Sequence, residues 1–362
     1  PLLTQRRADG DRDRRLPKET VDALTEHGLL RLLVPQRFGG LAVDLRTAVD
    51  ATAEIARADP SAGWVVMILG SADWLVGLFP EQAQCEVYAD GPDTAVCAVL
   101  TPHATARRVD GGWSLCGRWA PASGCAHAQW AILGFPTLTA GQSEPDGTAL
   151  ALVRADELSV ADTWFTVGMR GTGSNTLIGD DLAVPDHRVL RLGPRERGAL
   201  LPALVSYMIA PYLGIAAEAL DYVLGQADRR GISFTNYRRR SDSTAFQLAV
   251  AEAATTVDLV RLIAHDSADL VDRHTRAGAD IDYRTRAGLR ARTGRAVREC
   301  RDAVDALVAA QGAAALAESS PLAPLLLDMH TAAAHAVANP ATNAELFGRA
   351  LLGVEPNITD LI

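Results

Sequence analysis

Two residues late in the chain have the types and the spacing to move a proton. Asp328 and His335 are seven apart in the run Asp328-Met329-His330-Thr331-Ala332-Ala333-Ala334-His335. A helix there would put both on one face, about 10.5 Å apart along the axis, with His330 about 140° around from His335. An imidazole titrating near neutrality can accept a proton from a phenol or an amine, or give one up. The competing reading is a helix histidine bonded to a backbone carbonyl. A second group lies mid-chain, where Trp119-Ala120-Pro121-Ala122-Ser123-Gly124-Cys125-Ala126-His127-Ala128-Gln129-Trp130 precedes Trp164-Phe165-Thr166-Val167-Gly168-Met169-Arg170-Gly171-Thr172-Gly173-Ser174. Trp119 and Trp164 could wall a flat apolar slot, with the Ser123 hydroxyl bonding to ring heteroatoms and Gly124 allowing close backbone approach. Both tryptophans could equally be sheet core. The glycine-rich run is not a phosphate loop, because no Lys follows it and Asn175-Thr176-Leu177-Ile178 reads as a strand rather than a helix N-terminus.

Three zones must position these residues. The first, to about Asp93, is helical: Pro17 suits a first helical turn, Val21 and Leu24 are apolar at i, i+3, and Gly28 sits at a C-terminus. A Pro35 to Gly40 turn follows, then helices over Leu45 to Ala56 and Ser61 to Leu78. The second zone, from about Thr94 to Leu190, switches to strands. Arg107 to Asp110 and Trp113 to Arg118 flank Gly111-Gly112, a two-residue hairpin signal, and Trp130 to Phe135, Thr148 to Val153 and Leu177 to Val184 are further strands. Thr137 to Gly147 reads as a surface loop. The third zone is helical again, with one apolar stripe at Val297, Cys300, Val304, Leu307 and Val308 and another at Leu259, Leu262 and Ile263. Gly312 and Ser319-Ser320-Pro321 separate its later helices.

A chain of 362 residues, 48% hydrophobic, can bury two or three compact units. Its net charge of −9 argues against nucleic acid, whose binding needs clustered cations. Cys85, Cys97, Cys116, Cys125 and Cys300 show neither Cys-x-x-Cys spacing nor a paired His, so zinc and a disulfide framework are not indicated and a reducing cytoplasm is expected. Arg6, Arg7, Asp9, Asp11 and Asp13 make the start read as a charged, frayed segment without a signal peptide. Ala62 to Phe79, interrupted by Ser71 and Asp73, reads as buried helix rather than a membrane span.

Helices, a β-domain and a helical bundle, in that order and with these two central segments, resemble the acyl-CoA dehydrogenase superfamily over nearly the whole chain. The resemblance implies an α+β fold: an N-terminal helical domain (1–93), a central β-barrel-like domain (94–195) and a C-terminal four-helix bundle (196–362). It also places Trp119, Ser123, Gly124 and Trp164 against a flavin ring. True dehydrogenases of the superfamily need a carboxylate base, commonly in a Tyr-x-Gly-Thr-like context near the C-terminus. Here that region reads Leu352-Gly353-Val354-Glu355-Pro356-Asn357. Glu355 lacks the Gly-Thr, and Pro356 restricts the backbone, so Glu355 reads as a surface or terminal residue.

The end of the chain is more similar to the two-component, flavin-dependent monooxygenase branch, which shows an Asp, six intervening residues and a His after a Pro-Leu step. Pro321-Leu322, Asp328 and His335 match it. The resemblance makes His335 the acid/base, Asp328 its companion and Ser123 a contact to flavin or its peroxide. Relatives often carry His where Ala72 stands, Arg where Leu327 stands and a hydroxyl where Ala122 stands. Asp73 or Ser71 would substitute for that His, and Asp73, Trp74, Tyr207, Met208 and Tyr212 are expected around the substrate. Arg240, after Arg238 and Arg239, and Gln247 lie where the superfamily often contacts a flavin phosphate, sometimes from a neighbouring subunit. Guanidinium fits phosphate bidentately, and a solvated basic loop is an equal alternative.

The implied function is the oxygenase component of a monooxygenase using reduced FMN or FAD from a separate flavin reductase. With O2, through a C4a-(hydro)peroxyflavin, it would hydroxylate a phenolic or polyketide-like small molecule in secondary metabolism such as antibiotic biosynthesis. Alternatives are an N-hydroxylase of an amine or amino sugar, an FAD-dependent acyl-CoA dehydrogenase, and a ligand-binding relative without turnover. No Gly-x-Gly-x-x-Gly follows a strand and opens a helix, so nicotinamide chemistry falls to the reductase. A homotetramer is expected; a metal, nucleic acid or a membrane is not.

Overall fold

The computed structural model describes residues 1–137, 147–355 and 358–359; residues 138–146 of the expected surface loop, with Pro356 and Asn357, lie outside the described residues. The first zone forms α1 (Leu2–Asp13), α2 (Lys18–Glu26), α3 (Leu45–Ala58), α4 (Pro60–Val76) and α5 (Glu81–Val87). Asp44 starts α3 by accepting the Thr47 N–H, and Asp59 starts α4 by accepting from Ser61 and Ala62, with Pro60 in the first turn. The reversal between α3 and α4 needs Gly63, where a Cβ would lie 2.5 Å from that of Ala56. The charged start is a helix rather than the expected frayed segment, because Arg7 and Gly10 are tied into the fold beneath it.

The strands are β1 (Val96–Val99), β2 (Ala104–Val109), β3 (Gly112–Ala122), β4 (Trp130–Thr137), β5 (Gly147–Arg154), β6 (Ser159–Ala161), β7 (Asn175–Pro185) and β8 (Val189–Arg191). They make two four-stranded sheets, ordered β1-β4-β5-β8 and β2-β3-β7-β6. Alternate residues of both (Trp113, Leu115, Leu177 and Val184 from one; Cys97, Leu133, Phe135 and Ala151 from the other) share one core. The β2–β3 hairpin pairs Val109 with Gly112 and turns at Asp110-Gly111, one residue earlier than expected, with Gly111 at φ +70°. Gly112 belongs to the strand, where a Cβ would strike the Val184 carbonyl at 2.3 Å.

The last zone forms α6 (Pro194–Tyr207), α7 (Ile209–Gln226), α8 (Thr244–Ala277), α9 (Tyr283–Gln311), α10 (Leu322–Ala333) and α11 (Pro340–Leu352). α7 runs through the middle, crossing α3 so closely that a Cβ on Gly214 would lie 2.3 Å from the Ala53 carbonyl. The expected stripe on α9 is core, with Val297, Cys300, Val304 and Leu307 buried. The one on α8 is not. Leu259 and Leu262 are exposed, and the buried face is Phe246, Ala253, Val257, Val260 and Ala264, whose small residues let α8 lie close to its neighbours. Among the described residues one helical run, Glu196–Gln226, has the length and apolarity to cross a bilayer, and 94% of its apolar window is buried in the bundle.

Candidate active site

α10 stops at Ala333, so His335 lies beyond the helix and does not share a face with Asp328. The termination has a cause: the Ala332 carbonyl accepts the His335 N–H at 3.0 Å and the Tyr212 hydroxyl at 2.8 Å. His335 opens the next short turn, its Nδ1 accepting the Val337 N–H at 3.3 Å. With Nδ1 an acceptor, the neutral ring carries its proton on Nε2. Burial lowers the imidazole pKa below 6.5, which keeps the ring neutral at neutral pH. His330 points elsewhere and pairs with Asp305 at 2.8 Å.

Asp328 also faces away from His335. It is buried; Oδ1 accepts the Met169 N–H at 2.5 Å and Oδ2 accepts from Arg7 Nη2 of α1 at 2.7 Å. Desolvation outweighs the Arg7 charge and lifts this carboxyl to about 6. The glycines of the glycine-rich run mark a meeting place of helices. A Cβ on Gly168 would strike the Leu327 carbonyl at 2.2 Å and one on Gly171 the Ser61 Cβ at 2.9 Å, while Gly173, at φ +55°, lies against the Arg14 carbonyl. Arg170 Nε completes the clamp by donating to the Asp11 carbonyl of α1 at 2.8 Å.

This clamp closes one side of a cleft of about 710 Å3 between α4, the sheets and the end of α10. Trp64 and Ile68 come from α4, Pro121 and Ser123 from the end of β3, Trp164, Met169, Thr172 and Ser174 from the clamp, and Thr331, His335 and Val337 from the α10 end. Trp64 lies 5.6 Å from His335, ring centre to ring centre. Trp164 is held by its indole N–H on the Met169 carbonyl at 3.0 Å. Thr172, Ser174 and Ser123 are linked by hydrogen bonds of 2.7 Å, and Trp64 donates to Ser123 at 3.2 Å. No Asp, Glu, Lys or Arg lines the cleft among the described residues. Its size suits a cofactor ring with a substrate. Aromatic walls and converging hydroxyls fit a flavin ring, which needs an apolar slot and a few hydrogen bonds.

The cleft gathers Ser123, Trp164 and His335 and leaves out the other expected residues. Trp119 is fully buried between the sheets, its N–H on the Gly134 carbonyl at 2.8 Å, so it is sandwich core rather than a slot wall. Gly124, at φ +74°, makes the turn after Ser123 and packs on Val65 and Leu69 instead of the cleft. Trp74 and Tyr207 line a separate crevice of about 10 Å3 with Ser71, and the Tyr207 hydroxyl bonds to Thr52 at 2.7 Å. Asp73 is buried against the Tyr88 hydroxyl at 3.3 Å, and burial pushes its carboxyl far up. Met208 is core, and Tyr212 stands behind the cleft, edge-on to Trp64. Arg240 donates to the Gln311 carbonyl and Gln247 to that of Ser241, both away from the cleft. Glu355 is exposed beyond α11. Trp64, Thr172 and Ser174 were not singled out by sequence reasoning, although two of them stand in the glycine-rich run itself.

A two-sheet unit between a helical lobe and a bundle, with a neutral cleft at their junction, is the architecture of flavoprotein dehydrogenases and oxygenases. Family profiles agree: "Acyl-CoA dehydrogenase, N-terminal domain" matches residues 3–89 and "Acyl-CoA dehydrogenase, C-terminal domain" residues 206–340. The chain belongs to the acyl-CoA dehydrogenase family, in its flavin-dependent monooxygenase branch. It is 33% identical to the flavin-dependent monooxygenase oxygenase subunit HsaA of Rhodococcus jostii (strain RHA1), covering 99% of this chain and 97% of that one. It is also 33% identical to the FADH2-dependent resorcinol hydroxylase, oxygenase component, of Rhizobium sp. (strain MTP-10005), over 95% of this chain and 89% of the relative. Among solved structures, XiaF from Streptomyces sp. in complex with FADH2 and glycerol superposes with a TM-score of 0.94 at 33% identity, covering 99% and 94% of the two chains.

Proposed function

We propose that this chain is the oxygenase component of a two-component monooxygenase that hydroxylates an uncharged phenolic or polyketide-like small molecule. A separate flavin reductase supplies reduced FMN or FAD. The observation that carries the reading is the neutral cleft with His335 at one wall and the Ser123 hydroxyl at another. Reduced flavin, when bound, supplies the electrons that activate O2. Trp64 and Trp164 would flank the ring, the hydroxyl wall would orient it, and the apolar lining would exclude water. His335 Nε2–H would donate a hydrogen bond to the phenolic oxygen or to the oxygen being transferred, orienting it and stabilising charge that develops there. A thioester dehydrogenase would need a carboxylate base, and the cleft offers none among the described residues. An amine, cationic at neutral pH, would likewise find no anionic partner. No cation lines this cleft among the described residues, so we assign the flavin phosphate to Arg240 and Gln247 of a neighbouring protomer in a homotetramer. A cytoplasmic enzyme of secondary metabolism is the setting this reading implies.

The test combines the purified chain with a flavin reductase, NADH, FMN or FAD, a panel of neutral phenols and isotopically labelled dioxygen. Labelled oxygen in a phenolic product, dependent on both proteins and lost in His335→Ala, is expected. Reduction of bound FAD by an acyl thioester, with no labelled product, would overturn the reading.

A further inference from the structure

The hydroxyl chain in the cleft wall determines what Ser123 can offer a ligand. The Met169 carbonyl and the hydroxyls of Thr172, Ser174 and Ser123 are linked in series, each 2.7 Å from the next. At the far end the Trp64 indole N–H donates to Ser123 Oγ. All four side chains in this series are buried. Proton counting gives it a direction. A carbonyl only accepts, so the single Thr172 proton goes to Met169. Thr172 Oγ1 must then accept from Ser174, and Ser174 must accept from Ser123. Ser123 thus spends its proton inside the wall and meets the cleft with a lone pair. In the opposite direction Ser123 would donate into the cleft, and the Met169 carbonyl would keep the Trp164 and Thr172 N–H groups but face the Thr172 oxygen at 2.7 Å with no proton between them. That arrangement has one hydrogen bond fewer, a disadvantage of roughly ten-fold.

We propose that Thr172, Ser174 and Trp64 are positioning residues that make Ser123 a hydrogen-bond acceptor, so that the cleft selects the reduced flavin ring over the oxidised one. This rests on the flavin reading above. On two-electron reduction, ring nitrogen N5 gains a proton and changes from acceptor to donor. A lone pair at Ser123 complements the reduced ring and faces the oxidised ring lone pair to lone pair.

Anaerobic titrations with oxidised and dithionite-reduced FMN and FAD, followed by absorbance and fluorescence, give Kd in each state. The wild type binds the reduced form more tightly. Thr172→Val removes the hydroxyl with little change of shape and frees Ser174 and Ser123 to turn round. It lowers the oxidised-to-reduced Kd ratio roughly ten-fold, mainly by improving oxidised binding, and the two-electron potential of the bound flavin falls by about 30 mV. Thr172→Ser restores the wild-type ratio. Ser174→Ala breaks the series next to Ser123 and gives the same loss, which decides the matter if the valine variant folds poorly. A ratio within about two-fold of wild type in both variants overturns the proposal, as does equal wild-type affinity for the two states. A wild type that binds neither state removes the flavin reading, and this proposal with it.

Discussion

His335 meets the cleft through Nε2–H because its other nitrogen is occupied by the Val337 N–H. Protonation would sacrifice that bond and place a cation where no carboxylate lines the wall. Since burial depresses the imidazole pKa, hydroxylation is expected to hold steady as pH falls from 8 past 6.5 and to decline only below that. A kcat–pH profile with a step near 7 would contradict this. His335→Ala should lower product formation by about 10²-fold or more while reduced-flavin binding changes little. The two tryptophans separate in the same way. Trp119→Ala is expected to cost about 3–5 kcal/mol of stability, read as a lower Tm, whereas Trp164→Ala should weaken flavin binding with a smaller change in Tm. The sequence could not tell these tryptophans apart. Trp119 and Ser123 both follow a strand expected to end at Arg118. The strand instead runs on to Ala122 with a register shift between Trp119 and Ala122, so the indole is held inward while the Ser123 hydroxyl, just past the strand end, reaches the cleft. Thr172 and Ser174 lay in plain view among glycines, where hydroxyls read as turn residues.

At the scale of elements, the end of α10 was the least legible feature. Thr331-Ala332-Ala333-Ala334-His335-Ala336 is good helix-forming sequence with no stop signal before Asn339-Pro340. What ends the helix is Tyr212, 120 residues away, taking the Ala332 carbonyl. The joint between α3 and α4 is more transparent, since Asp59-Pro60 announces a cap. Its chemistry is testable. Asp59 is buried, and desolvation lifts its carboxyl to about 6 despite Arg7, with Asp328 and Asp11 adding repulsion. An unfolded chain releases that proton near 4. Between these values the native state holds a proton that the unfolded state has lost, so stability falls as pH rises through the window and stays lower above it. Asp59→Asn keeps the capping oxygen and carries no charge. Thermal denaturation should show it more stable than wild type at pH 7.5, by on the order of 2–3 kcal/mol, with the gain gone near pH 4. A constant difference across that range would mean that Asp59 ionises normally.

The whole molecule presents apolar side chains that its own fold leaves uncovered, including Leu248, Leu259 and Leu262 on α8 and Leu351 and Leu352 on α11. Large exposed apolar side chains clustered along a helix can form contact surfaces between copies. Sedimentation velocity is expected to show a homotetramer, and a monomer at micromolar concentration would withdraw the assignment of Arg240 and Gln247 to a neighbour's phosphate. The order of helical lobe, sheets and bundle was readable from periodicity and from the central motifs, but the way the two ends of the chain meet was not. Arg7 and Asp328 join across 321 positions. A ribosome releasing this polypeptide has delivered Ser123, Trp164 and the entire glycine-rich clamp long before Asp328 and His335 emerge. Throughout that interval the clamp rests on α1 and α4 but lacks its contacts to Leu327 and Asp328. A nascent chain halted after α9 should therefore carry both sheets and still leave flavin in solution, so cofactor uptake becomes a signal that synthesis is nearly finished.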